Sequence, residues 1–149
     1  MKNAILFLSM LTIGLVSCSK DDDVKITETP EAVQTAFNAK FSGATQVETE
    51  RDGDLYEFDF KLNGVDYEAQ YKSDGNLVKF KHDLALSTIP TAIQTKINAD
   101  YEGKTVDEVE MLTIGSATYY QVEINNEPND IKLVFNADGS LNQSVTYWD

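Results

Sequence analysis

"PEAVQTAFNAKFSGAT", residues Pro30 to Thr45, returns sixty positions later as "PTAIQTKINADYEGKT", residues Pro90 to Thr105. Eight of the sixteen positions are identical, and Val33/Ile93, Phe37/Ile97 and Phe41/Tyr101 exchange one apolar side chain for another. Further on, "YKSDGNL" (Tyr71 to Leu77) is matched by "FNADGSL" (Phe135 to Leu141) at an offset of 64. Two blocks at nearly the same offset mark a duplicated unit, and a duplication constrains the fold before any single element is assigned.

Each block opens a helix. Thr29 and Thr88 are placed as N-caps or just outside, and Pro30 and Pro90 fall in the first turn, where a missing N–H costs nothing. Val33, Phe37 and Phe41 recur at helical spacing, as do Ile89, Ile93, Ile97 and Tyr101, so each helix has one apolar face. Gly43 and Gly103 end them. Strands follow. "LYEFDFKL" (55–62) puts Tyr56, Phe58, Phe60 and Leu62 on one face and Glu57, Asp59 and Lys61 on the other. Asn63-Gly64 is a strong type I′ hairpin signal, and "VDYEAQYK" (65–72) returns with Val65, Tyr67, Ala69 and Tyr71 inward. With "TQVETER" (45–51) before them and "LVKFKH" (77–82) after, the first unit has four strands. The second repeats the plan at about 105–112, 118–124, 130–135 and 141–148. Strict alternation buries one face of each sheet and wets the other. The expected fold is α+β, two tandem αββββ units over 27–86 and 87–149, with antiparallel sheets side by side and one helix per unit on one face.

The start of the chain carries an address. Lys2 precedes an apolar run from Ala4 to Val16, too short for a membrane span of about 20 residues but suited to a secretory signal. Leu15-Val16-Ser17-Cys18 resembles the bacterial lipobox, in which the cysteine is acylated and becomes the first residue of the mature chain. On that reading residues 1–17 are a signal peptide and 18–26 a lipidated cysteine with an acidic tether. A thioether at Cys18, the only cysteine, leaves no thiolate for catalysis, metal binding or a disulfide. The alternative is an ordinary secretory signal with a leftover thiol. Asp21-Asp22-Asp23 serves as a solvated spacer, and it also resembles an acidic surface-export tag of some Gram-negative lipoproteins. The expected location is the outer membrane of a Gram-negative bacterium, facing the periplasm or the surface.

A lipoprotein signal, tandem helix-plus-meander units and Asp-Gly turns before each last strand together resemble the PepSY-like domain family, itself described as β-lactamase-inhibitor-like. The resemblance spans about Thr27 to Asp149. It implies a broad open sheet surface with the helices behind it. In the inhibitor such a concave surface grips an enzyme. No contact residues of the inhibitor can be matched here, so only architecture carries over.

Chemistry is scarce. From Cys18 onward there are 11 Lys and Arg against 25 Asp and Glu, which argues against nucleic acid and against anionic head groups, leaving the lipid anchor as the membrane contact. The one histidine, His82, excludes multi-histidine metal sites and reads as a surface strand residue. There is no G-x-S-x-G, phosphate-loop or dinucleotide glycine motif, and no cofactor is expected. Glu57, Asp59, Asp66 and Glu68 share the solvent face of one hairpin, as a cation site, a patch for a basic partner, or simply a charged surface. Register leaves Tyr119 on the outer face of its strand, and Trp148 opposite Val145 and Tyr147; both are expected to be exposed as partner anchors, the alternative for Trp148 being to cover a sheet edge. The expectation is a non-enzymatic binding module for an unknown protein or peptide, inhibition or regulation of a hydrolase being one form. The alternative is a small-ligand or divalent-cation-binding envelope protein using the acidic hairpin.

Overall fold

The computed structural model describes residues 22–149; the signal segment, Cys18 and Asp21 lie outside them. The elements run β1 (Asp22–Asp23), α1 (Glu31–Lys40), β2 (Thr45–Asp52), β3 (Leu55–Leu62), β4 (Val65–Lys72), β5 (Leu77–Asp83), α2 (Thr91–Asp100), β6 (Val106–Ile114), β7 (Ala117–Ile124) and β8 (Ile131–Phe135). All strands pair antiparallel in chain order, so the two units form one continuous meander sheet. Its seam is the β5–β6 ladder, with Lys81 opposite Leu112 and Asp83 opposite Glu110. Among the described residues no helix is long and apolar enough to cross a membrane.

The duplication extends to local detail around the helices. A short 3-10 turn precedes each helix, at Ile26–Glu28 and Leu86–Thr88. Of the two placements expected for the threonines, the structure takes the second: both lie just outside the helix. Pro30 and Pro90 occupy the N-cap positions, and proline offers no side-chain acceptor. Instead Gln34 Nε2 donates to the Thr29 carbonyl and Gln94 Nε2 to the Ile89 carbonyl, each at 2.8 Å, pinning the entry strand to the helix. Thr29 Oγ1 donates to the Ile26 carbonyl and closes the preceding turn.

Each helix covers one half of the same sheet face. Val33, Phe37 and Phe41 of the first pack on Phe58, Phe60, Ala69 and Tyr71. Ile93 and Ile97 of the second pack on Val109, Val122, Ile124 and Phe135. Phe37 stacks on Phe58 at 4.4 Å between centroids and meets Phe60 edge-on at 5.0 Å, the offset and T-shaped arrangements that aromatic quadrupoles favour. The Asp-Gly turns complete the seat: Gly75 and Gly139, both at positive φ, lie against Ala32 and Ala92 in the first turns of the helices. A Cβ at Gly75 would stand 2.6 Å from the Ala32 carbonyl oxygen, so glycine is required for contact as well as conformation. Asn63 and Gly64 both have positive φ, as the type I′ turn demands.

Two boundaries differ from the sequence reading. Asp22 and Asp23 pair with Arg51 and Glu50, so the end of the acidic spacer is a strand on the sheet edge. The eighth predicted strand, 141–148, does not form. After a single bridge from Leu141 to Phe135 the chain leaves the edge of β8 and crosses the face opposite the helices.

Candidate functional site

The face without helices is built by the alternate residues of every strand. From β2 come Glu48, Glu50 and Asp52, opposite Asp59, Glu57 and Leu55 of β3. Glu68 lies opposite Asp59, and Asp66 opposite Lys61. The ladder continues through Lys79 and Lys81 of β5, then Glu110 and Leu112 of β6, and Tyr119 and Gln121 of β7.

Its first half is acidic and uncovered. Carboxylate oxygens of Glu57, Asp59 and Glu68 lie within 4.8 Å of one another. Asp66 is not brought into that cluster, because the Lys61 ammonium holds its carboxylate at 2.5 Å. Burial in the sheet surface raises the carboxyls of Glu57 and Asp59 above their ordinary range, and neighbouring acids add to this: Asp59 acting on Glu57, Glu48 on Asp59. Burial pushes Glu68 up to about 7, against the pull of Lys81. A cleft of about 160 Å³ opens here, lined by Asp59, Glu68, Lys81 and Glu110 on this face and by Tyr67 and His82 from the other.

The second half is covered by the chain's own last segment. Trp148 is 9 % exposed, which corrects its expected exposure. Its backbone N–H donates to Gln121 Oε1 and its carbonyl accepts from Gln121 Nε2, both at 2.9 Å. The same carbonyl accepts from Lys81 Nζ at 3.0 Å, and Lys79 Nζ stands 3.8 Å from the centre of the indole. Beneath the ring, Lys81 bridges Glu68 at 3.2 Å and Glu110 at 3.0 Å, while Gln121 donates its second N–H to Glu110 at 2.8 Å. Burial alone would lower the Lys81 pKa, but the two carboxylates together raise it, so the lysine stays charged. Glu68 is pushed up chiefly by its own burial, with Asp59 and Glu110 adding to it and Lys81 opposing it, while Glu110 is the more deeply buried of the two carboxylates that Lys81 bridges. Trp148 sinks because three polar groups, Gln121, Glu110 and Lys81, are central in the sheet and need cover and partners.

Tyr119 does lie on the open face, opposite Leu112, and is half-buried. His82 is not the surface residue expected: it lies on the helix side, half-buried, its ring stacked on Tyr67 at 4.7 Å, and burial lowers its pKa. Cys18 falls outside the described residues. Lys81, Glu110 and Gln121 were not singled out by their sequence context. Their signal is weak but present: Gln121 interrupts the apolar run "YYQVEI", and a polar residue on a central strand must find a partner.

Two overlapping stretches, 15–79 and 62–143, match the model of one family, described as "Putative beta-lactamase-inhibitor-like, PepSY-like". The chain belongs to the PepSY-like family. The two matches span most of its length and reflect the duplication seen in sequence and structure. Solved structures share the PepSY-like fold. A "BLIP-like" protein from Bacteroides fragilis superposes with a TM-score of 0.68 at 23 % identity, over 80 % of this chain and 92 % of that one. A "putative periplasmic" protein from Bacteroides eggerthii gives 0.70 at 21 %, over 76 % and 85 %. A DUF2874 family protein from Bacteroides uniformis gives 0.70 at 23 %, over 76 % and 86 %. At these identities the likeness is one of fold. No curated protein matches the chain.

Proposed function

We propose that this PepSY-like protein is a lipid-anchored, non-catalytic binding module of the cell envelope that holds a basic protein or peptide on the first half of its open face. The observation that carries this reading is the contrast between the two halves: one is covered by the chain itself, and the other presents Glu48, Glu57, Asp59 and Glu68 side by side, the last three with carboxyl pKa values raised chiefly by burial. Crowded carboxylates repel, and a cationic partner relieves that repulsion while steering encounter. Asp66 would sit at the margin of such a contact, whereas Tyr119, on β7 beyond Lys81 and Leu112, lies outside it. The anchor reading rests on the lipobox-like Leu15-Val16-Ser17-Cys18, and an envelope location is supported by the periplasmic description of a structural neighbour. The BLIP-like neighbour suggests inhibition or regulation of a hydrolase as one form of the binding, by fold alone.

Affinity capture from envelope extract tests the contact. The wild-type chain is expected to retain a basic partner in low salt and to release it at high salt, and Glu57→Gln/Asp59→Asn should lose most of it. Equal capture by both chains would sink the assignment. Labelling with palmitate tests the anchor: wild type should incorporate label and Cys18→Ala should not.

A second reading has one observation in its favour, the convergence of Glu57, Asp59 and Glu68 within 4.8 Å, close enough to share a divalent cation. Calorimetry with calcium decides it. Heat lost in Glu57→Gln/Asp59→Asn supports the cation site, and no heat in wild type removes it.

A further inference from the structure

We infer that Lys81, Glu110 and Gln121 form a peptide-binding site and that residues 144–149 are its tethered ligand. This deepens the reading of the open face as a binding surface, and it concerns the other half of that face. The contact is made as a peptide ligand would make it. A side-chain amide brackets one residue of an extended chain, Gln121 Oε1 taking the Trp148 N–H and Nε2 giving to the Trp148 carbonyl. Those bonds are independent of side-chain identity, and a third comes from the Lys81 ammonium. Selectivity comes from two side chains. The indole lies beneath Lys79 and beside Lys81, a cation–π seat for an aromatic residue. Asp149 pairs with Lys132, so an acidic residue follows the aromatic one.

The site belongs to the sheet and not to the segment. Lys81, Glu110 and Gln121 sit on three adjacent strands, β5, β6 and β7, held by ladder pairing and by one another. They are 4 %, 2 % and 0 % exposed with Trp148 seated over them. The segment is held from its other end by little. After Asn142 N–H reaches the Val134 carbonyl, the Asn142 side chain accepts from Ser144 and Val145 N–H in a tight turn that directs the chain off β8. Beyond that turn no ladder ties residues 144–149 to the sheet, and a segment so attached opens below the cost of global unfolding. The ligand class is therefore an extended peptide with an aromatic residue followed by an acidic one, competing with the chain's own copy.

The experiment uses synthetic peptide SVTYWD, the sequence of residues 144–149. A short tether presents its ligand at an effective concentration of order mM, so the intact chain should bind labelled peptide at least about tenfold more weakly than a chain lacking residues 144–149. In the shortened chain, Gln121→Leu or a peptide with alanine for tryptophan should lose at least about tenfold in affinity. A shortened chain that melts cooperatively and binds the peptide no better than the intact chain overturns the proposal. If the shortened chain does not fold, the intact chain decides. Trp148 is the single tryptophan, and excess SVTYFD should displace it and shift its emission to the red. No shift at several mM peptide overturns the proposal. None of these measurements uses the acidic half of the face, so they fail or succeed separately from capture of a basic partner.

Discussion

Replacing Lys81 by methionine isolates the electrostatic centre of the sheet. The lysine is 4 % exposed and bridges Glu110 at 3.0 Å and Glu68 at 3.2 Å, while donating to the Trp148 carbonyl. Methionine keeps most of the volume and removes the charge, leaving Glu110, itself 2 % exposed, with only the Gln121 N–H. Removing one member of a buried ion pair typically costs about 3–5 kcal/mol, because the other charge remains uncompensated. For a domain of this size that lowers Tm by roughly 10–20 °C. The loss should depend on pH in a definite sense. Without Lys81 the pull that lowers the Glu68 carboxyl is gone, so its folded-state pKa, already raised by burial, rises further. A carboxyl raised on folding contributes its stability below the unfolded pKa and loses it as pH climbs through the folded one. The deficit of Lys81→Met should therefore be largest at pH 8 and shrink toward pH 5. Replacing both Lys81 and Glu110 by methionine should recover most of the stability, since an apolar pair needs no counter-charge. Thermal melts followed by far-ultraviolet circular dichroism, with Trp148 fluorescence in parallel, measure all three. A single variant melting within about 2 °C of wild type at pH 8, or a deficit equal at pH 5 and pH 8, would refute the buried-charge reasoning.

Two further outcomes follow from the same geometry. Gly75→Ala and Gly139→Ala should each destabilise by about 2 kcal/mol or more, combining a left-handed φ with a Cβ at 2.6 Å from the Ala32 carbonyl oxygen or 2.9 Å from the Ala92 Cβ; urea titrations showing either within about 0.5 kcal/mol of wild type would contradict the helix–turn contact. Glu68→Gln should flatten the fall in wild-type stability as pH rises from about 5 to 8, because the Glu68 carboxyl is pushed up to about 7 by burial, and at pH 8 it should gain about 1 kcal/mol after discounting for its partial exposure to water. A Tm-against-pH curve parallel to that of wild type would place the titration elsewhere.

Much of the fold was legible because the duplication and the alternation agree. Phe37 with Ile97, and the two Asp-Gly turns, identify equivalent places in two units, and a register error in one would have to be repeated in the other. The acidic hairpin was legible too, since Asn63-Gly64 fixes which residues face each other: Asp59 meets Glu68 as alternation requires. Membership of the metal-sized cluster was not. Asp66 leaves it for Lys61, a side-chain choice between neighbours that alternation cannot settle. The buried triad was missed for a related reason. Lys81, Glu110 and Gln121 occupy solvent-side positions of the pattern and are buried only by what lies over them.

What lies over them was itself readable once the repeat is carried to its end. At the offset of 64, Leu141 corresponds to Leu77, but Ser144 and Thr146 stand where Phe80 and His82 face the helix. Val145 and Tyr147 stand where Lys81 and Asp83 face the other way. The alternation of 141–148 is intact and its phase is reversed relative to the first unit. A fourth strand beside β8 would put hydroxyls toward the helix side and apolar side chains toward water, so pairing offers little and the chain does better by crossing the sheet. The first unit needs its fourth strand because β5 makes the seam to β6; among the described residues β8 is the last strand of the sheet, and no such seam is asked of 141–148. Freed from the ladder, the segment brings a tryptophan to three polar groups that nothing else covers. The loss of one strand and the burial of one lysine are thus a single event, and with the segment seated the same event leaves the acidic surface of β2 to β4 as the uncovered part of the open face.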